Sequence, residues 1–405
     1  MGKNRDIWLK AAVVGSLWGA SEIVLGSFLH NLRIPFSGNL LTAIGIVLMI
    51  SGHRIWPERG LILRAGLICA ALKSLSPSPV ILGPMISIFM QASLMEAAVG
   101  VGRGSWAGYL FGGGLAMGWN LFYRILSTLV LYGSPVISLY QQLVTYLFQQ
   151  TGLQMSGYWA PILFLGGLFV LFGMLAAVAG LVISRAAERN NHRWSPPALG
   201  GNQVLPVAEE FRREKWPLLL PVGYLAFLVL GLYSIRNLPL ALSVALLAAY
   251  FFLVWMYDHR LIYRFGKKKG FWIGLAVMIL LSGLLLGPPA SERLISIEGL
   301  RIGAEMGMRA LYVIAGFGIL SKGLRNPSLL KWAENRHLEP FFSAVRIAFQ
   351  TTPLMIDTIP GKQAWRRPGR VLTNMVRSME HALDFMRTRE QGFGMVFVIS
   401  GQKAS

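Results

Sequence analysis

Trp159–Ser184 reads WAPILFLGGLFVLFGMLAAVAGLVIS, a run without one charged residue. About 20 apolar residues in a row span a bilayer as a helix, since lipid offers the backbone no hydrogen-bond partner. The run is continuous and does not alternate, which excludes a strand of a membrane barrel. Nine similar runs lie near residues 8–30, 38–52, 61–76, 79–101, 106–131, 216–234, 238–257, 271–287 and 303–321. Composition agrees. The 405 residues are 54% hydrophobic and 14% charged, where soluble domains carry about 25% charged residues. Mean hydropathy is +0.53. The expected fold is an all-α polytopic membrane protein with about ten transmembrane helices in two bundles, about six and four, plus cytoplasmic amphipathic helices.

The opening MGKNRDIWLK leads into an apolar stretch too long for the short apolar region of a signal peptide, so a retained first helix is expected. Cys69 is the single cysteine and lies inside an apolar run, which removes any disulfide framework or cysteine metal site within one chain. Net charge is +20. In a soluble protein that would point to nucleic acid. Here basic residues on loops near anionic headgroups are the stronger reading, and no nucleic-acid partner is expected.

The basic residues set an orientation. Lys3, Arg5 and Lys10 precede the first run, and Arg54, Arg59 and Arg64 lie between the second and third. Arg103, then Arg185, Arg189 and Arg193, then Arg260, Arg264 and Lys267–Lys269 follow in alternate loops. The other loops, NLRIPFSGN, SLSPSPV and YGSPVISLYQQ, are poor in charge. Cytoplasmic loops hold the lysine and arginine excess, so both termini are expected in the cytoplasm.

Domain boundaries follow composition. Residues 1–190 form a six-helix membrane domain, 191–215 a polar linker rich in proline and glycine, and 216–322 a second membrane domain. Residues 323–392 carry apolar residues three and four apart among arginines, as amphipathic helices do. In 393–405, VFVISGQKAS (Val396–Ser405) reads as a strand entering the first five positions of the phosphate loop G-x-x-x-x-G-K-[ST]. The second glycine, lysine and hydroxyl of that motif would come next. Either the sequence stops just inside a fused nucleotide-binding domain or the match to this loop is chance; on the first reading it is the main sign that ATP-binding machinery adjoins the membrane part.

Polar residues at membrane depth are costly and mark candidate sites. Glu22 lies in the first run, Gln91 and Glu96 in the fourth, and Asn120 and Arg124 one turn apart in the fifth, beside Trp119 and Tyr123. Glu22, Gln91, Asn120 and Arg124 read as a pocket for a small polar solute. They read equally as internal pairing that holds the bundle, for example Glu22 with Arg124. Glu96 sits near the cytoplasmic end, within reach of water. Small residues four apart, Ala11, Gly15 and Gly19, with Ala12, Ser16 and Ala20 beside them, form a row along which another helix, subunit or domain can pack closely. Gly100, Gly104, Gly108 and Gly112 make a second row, read as tight packing within the bundle. No HExxH or paired-histidine spacing and no GxSxG is present, so neither a metal site nor a catalytic set is expected.

Two membrane domains, the second followed by arginine-bearing helices, resemble the energy-coupling factor (ECF) transporters. Residues 8–185, with Ala11, Gly15 and Gly19 spaced by four, look like the substrate-capturing S component, whose first helix contacts the T component. Gly299–Ile359 is similar to the last membrane helix and first coupling helix of the T component, and Leu372–Phe393 to the second. In the family an arginine triplet ends each coupling helix and docks an ATPase. Arg387 and Arg389 occupy that place here, within Thr388-Arg389-Glu390, whose flanking residues depart from the family pattern; Arg366 and Arg367 stand near the missing first triplet. The resemblance implies a multi-pass protein of a bacterial or archaeal cytoplasmic membrane. It also implies import of a vitamin or metal ion entering near residues 31–37 and 76–80. No cofactor is expected on this chain, ATP being bound by partner ATP-binding-cassette subunits or a fused NTPase domain; the remaining partners are the solute and lipid. The alternative is a membrane anchor or sensor for a cytoplasmic nucleotide-binding domain, without transport.

Overall fold

The apolar runs form helices. In chain order these are α1 (Lys3–Asn31), α2 (Ser37–Ile55), α3 (Leu61–Lys73), α4 (Leu82–Val101), α5 (Trp106–Tyr132), α6 (Pro135–Thr151) and α7 (Ala160–Arg189). Then come α8 (Leu219–Asn237), α9 (Leu240–Tyr257), α10 (His259–Gly266), α11 (Lys269–Leu285), α12 (Ile297–Gly323), α13 (Glu339–Asp357) and α14 (Pro368–Gly401). The structure is a computed structural model, and it describes residues 3–31, 36–73, 82–151, 157–189, 219–257, 259–267, 269–286, 296–323, 339–357 and 367–401. The expected linker 191–215 lies outside them.

Among the described residues, five helices are long and apolar enough to cross a membrane: Asn4–Gly26, Ser37–Ile55, Gly83–Val101, Trp106–Tyr132 and Ala160–Arg189. Ala226–Ile235, Ala241–Met256 and Lys269–Leu285 are shorter apolar stretches. The described part of α3 has 13 residues, about 20 Å of helix against a hydrocarbon core of about 30 Å.

Two expectations are corrected. YGSPVISLYQQ is not a loop: Gly133 (φ 80°) ends α5, and α6 starts at Pro135. Proline suits a first helical position, and Val136, Leu139, Tyr140, Leu143, Val144 and Leu147 keep helical spacing. Val396–Ser400 is not a strand: α14 runs unbroken to Gly401. No proline interrupts residues 369–401, so the helix continues. Residues 402–405 of the expected phosphate loop lie outside the described residues.

Helix α1 is the axle of the core. Gly15 and Gly19 face α3, where a Cβ on Gly15 would stand 2.7 Å from the Ala65 carbonyl oxygen and 2.9 Å from Ile68 Cβ. The neighbouring face meets α2: Trp18 lies against Gly45 and Val14 against Gly52. Gly15 and Gly19 therefore pack against α3 inside the first bundle, which is the tight-packing reading of this row and not the docking of a second domain. Gly100 and Gly104 touch nothing that a Cβ would meet, so the second glycine row is not a packing row over its whole length. Gly15→Val is expected to lower stability by about 3 kcal/mol by wedging α1 from α3. An unchanged melting temperature of the purified protein would refute the close approach.

Helix α13 takes a third side of α1. Trp8 and Phe341, each near the start of its helix, meet edge to face at 5.4 Å, so the two run side by side from one end. By register, Ala12, Ser16 and Ala20 are on the face that α3 and α2 leave free, and all three are buried. Ala344, Val345 and Ala348 of α13 are buried in the same core. Helix α14 buries Val371, Leu372, Met375, Val376, Met379, Ala382, Leu383 and Met386 there too, one stripe at helical spacing. The C-terminal helices, expected as an appendage of the second membrane domain, thus share the core of the first.

A separate core joins α8, α9 and α12 through Tyr250, Val254, Tyr312, Ala315 and Ile319, with Phe227 stacked on Tyr250 at 5.6 Å. Helix α11 packs on α12 where Gly299 and Gly303 meet Ser282 and Ile279. Arg309 of α12 donates to the Val130 carbonyl near the end of α5, which links the two parts.

Candidate functional site

Three helices that would otherwise present only apolar surface to one another meet through amide and hydroxyl groups. Asn39 and Thr42 lie one turn apart on α2, Ser87 and Gln91 one turn apart on α4, and Asn120 comes from α5. Gln91 Nε2 donates to Asn120 Oδ1 at 2.7 Å, to Ser87 Oγ at 3.2 Å and to Thr42 Oγ1 at 3.3 Å. Asn120 Nδ2 donates to Thr42 Oγ1 at 2.8 Å and to Asn39 Oδ1 at 3.5 Å. Gln91 and Thr42 are each 4% exposed. An unpaired amide at this depth is costly, which explains why the groups converge. Gln91 Oε1 takes no part in these bonds, so the cluster keeps an acceptor to offer.

Beside Asn120 on α5 stands an aromatic group. Trp119 packs on Phe122 at 5.2 Å and on Tyr123 at 6.5 Å. The indole Nε1 of Trp119, the residue before Asn120, is buried without a partner among the described residues. The Tyr123 hydroxyl touches α4 where Gly83 has no side chain to block it.

Of the four residues expected to bind solute, the structure brings Gln91 and Asn120 together, leaves Arg124 at the edge of their cluster, at Gly38 beside Asn39, and sets Glu22 elsewhere. Glu22 pairs with Lys73 of α3 at 3.0 Å, and Arg124 is exposed near Gly38. The suggested Glu22–Arg124 pair is therefore replaced by Glu22–Lys73. The hydrogen-bonded side chains carry no charge; the Arg124 guanidinium near Gly38 is the cation next to them. Sequence reasoning missed Lys73, Asn39, Thr42 and Ser87. Hydroxyls and single amides inside apolar runs bond locally to backbone so often that they carry little signal. The spacings 39/42 and 87/91, each placing two polar groups on one face, were the available clue.

At the other end of α1 and α2 charge is concentrated. Lys10 bridges Asp6, four residues back, and Glu58 of the α2–α3 turn. Arg387 of α14 pairs with Asp6 at 2.8 Å, and Arg377 donates to the Ala186 carbonyl of α7 at 3.2 Å. Helix α14 therefore crosses the ends of α7, α2 and α1. Arg387, expected at an ATPase, pairs with Asp6 of this chain; the Arg389 side chain and Arg366 lie outside the described residues. Glu96, half-buried, stands at the start of α3, where it accepts from the backbone N–H of Gly60 (2.6 Å), Ile62 (3.0 Å) and Leu63 (3.2 Å). A carboxylate suits a helix N-terminus, whose first N–H groups lack partners. Nearby, His53 Nδ1 and the Tyr109 hydroxyl share a hydrogen bond of 2.8 Å.

Among the described residues no three His, Cys, Asp or Glu side chains gather as metal ligands. The chain matches no protein-family model, no curated protein and no solved structure.

Proposed function

We propose that this chain is the membrane part of an ATP-driven importer of the ECF type, in which α2, α4 and α5 hold a small uncharged polar solute. In this reading the chain is multi-pass in a bacterial or archaeal cytoplasmic membrane, with about six spans and then four, both termini in the cytoplasm. ATP is bound and hydrolysed by ATP-binding-cassette partners or a fused nucleotide-binding domain.

The observation that carries the reading is the position of α2. At one end it supplies Asn39 and Thr42 to the polar cluster, and at the other it meets α14. Thr42 and His53 are about 17 Å apart along this one helix. Helix α14 is tied to α1 through Asp6 and to α7 through Ala186, and α2 packs on both. A partner that shifts α14 shifts α1, α2 and α7 against α4 and α5. The seam between those groups is where Thr42 meets Gln91 and Asn120, so the motion would part the donors and release the solute. Amide and hydroxyl groups without a fixed charge match a solute rich in carbonyl, amide or hydroxyl groups, and favour a neutral solute over a metal ion.

Reconstituted in vesicles with its ATPase, the full chain is expected to take up solute only when ATP is supplied, and to co-purify with that ATPase. Full uptake without ATP would sink the reading. Nucleotide-dependent behaviour with no solute bound would favour the anchor or sensor.

A further inference from the structure

A second site lies at the corner where α9 turns into α11. Helix α10 joins the two apolar helices there, and its eight residues are about 12 Å long. Trp255 near the end of α9 and Trp272 near the start of α11 are both exposed, as is Tyr263 on α10. Ile262 turns the other way and packs on the second core, which fixes the face that α10 presents. Aromatic side chains so placed mark the level of lipid headgroups.

The same corner carries concentrated positive charge. The sequence His259–Lys269, HRLIYRFGKKK, contains Arg260, Arg264, Lys267, Lys268 and Lys269 and no acid. Lys267 and Lys269 are exposed, and the Lys267 ammonium sits 4.3 Å from the centre of the Tyr263 ring. That contact holds a cation beside the ring without neutralising it. Among the described ion pairs none involves Lys267 or Lys269.

We infer that the α9–α10–α11 corner binds anionic phospholipid, the phosphate resting on Lys267 and Lys269 and the acyl chains lying along α9 and α11 beside Trp255 and Trp272. Basic residues at a membrane surface attract anionic lipid, and the effect adds up over neighbouring charges. The inference needs the two helices to lie in a bilayer but does not need transport.

The test is lipid retention by the full chain. Vesicles of equal phosphatidylglycerol and phosphatidylcholine are solubilised around the protein, and the lipids kept are weighed by native mass spectrometry. Phosphatidylglycerol is expected to be retained roughly tenfold over phosphatidylcholine. The triple variant Lys267→Gln/Lys268→Gln/Lys269→Gln should bring the ratio near one, while Arg185→Gln/Arg189→Gln, at the end of α7, leaves it high. Inorganic phosphate should not displace the lipid, since it has no acyl chains. No preference in the unaltered chain, an unchanged ratio in the triple variant, an equal loss in the α7 variant, or displacement by phosphate would each overturn the inference.

Discussion

Asn120→Leu is expected to raise the dissociation constant of the solute that co-purifies with the full chain at least about tenfold, while the protein stays folded. Each hydrogen bond to a ligand worth about 1.4 kcal/mol corresponds to a factor of ten in affinity. Asn120 accepts from Gln91 and donates to Thr42, so its loss removes the centre of the cluster and leaves Gln91 without its shortest partner. The cost to stability is smaller, because hydrogen bonds between membrane helices average about 0.6 kcal/mol. Gln91→Leu should act in the same direction, and the double variant should lose less than the sum, since the two side chains share one network. Equilibrium binding and thermal unfolding separate the two roles. If the variant unfolds several degrees earlier yet binds as before, the cluster is a clasp between helices and not a solute site.

The parts of this fold that were legible share one property: their information is local. The charge-free run quoted first is α7, and Leu372–Met386 shows its buried stripe directly in its spacing. What failed depended on distant partners. Val396–Ser400 has the composition of a buried strand, yet a strand needs a neighbour, and this segment instead extends a helix begun at Pro368. Gly15 and Gly19 announced a close approach, but the sequence does not say to which helix; the answer, α3, sits 50 residues on, at Ala65 and Ile68. Glu22 announced a counter-charge, and of the basic residues near membrane depth the geometry selects Lys73 over Arg124. The polar cluster was half legible. Amides inside apolar runs are rare enough to notice, whereas the hydroxyls that complete the network are common.

Arg387→Asp is expected to cut ATP-driven uptake at least about fivefold, the factor that corresponds to about 1 kcal/mol, while solute binding without ATP stays unchanged. Asp6 and Arg387 are 27% and 39% exposed, and an ion pair of that kind contributes about 1 kcal/mol or less to stability. Losing the pair alone costs little stability; because the new carboxylate also stands beside Asp384, thermal unfolding of the variant is measured alongside uptake, and an unchanged melting temperature assigns the loss to coupling. Two roles for Arg387 would both predict that loss: it ties α14 to α1 through Asp6, or it docks the ATPase directly. The double variant Asp6→Arg/Arg387→Asp separates them. If the tie transmits the motion, exchanging the two charges restores attraction and recovers part of the uptake, although Asp6→Arg sets a cation beside Lys10, which pairs with Asp6 in the unaltered chain. If Arg387 serves the ATPase, the double variant stays as inactive as Arg387→Asp and no longer co-purifies with the ATPase. Asp6→Arg alone is the control: it breaks the tie but leaves Arg387 in place. Loss of uptake there with the ATPase still bound assigns the coupling to the contact between α1 and α14.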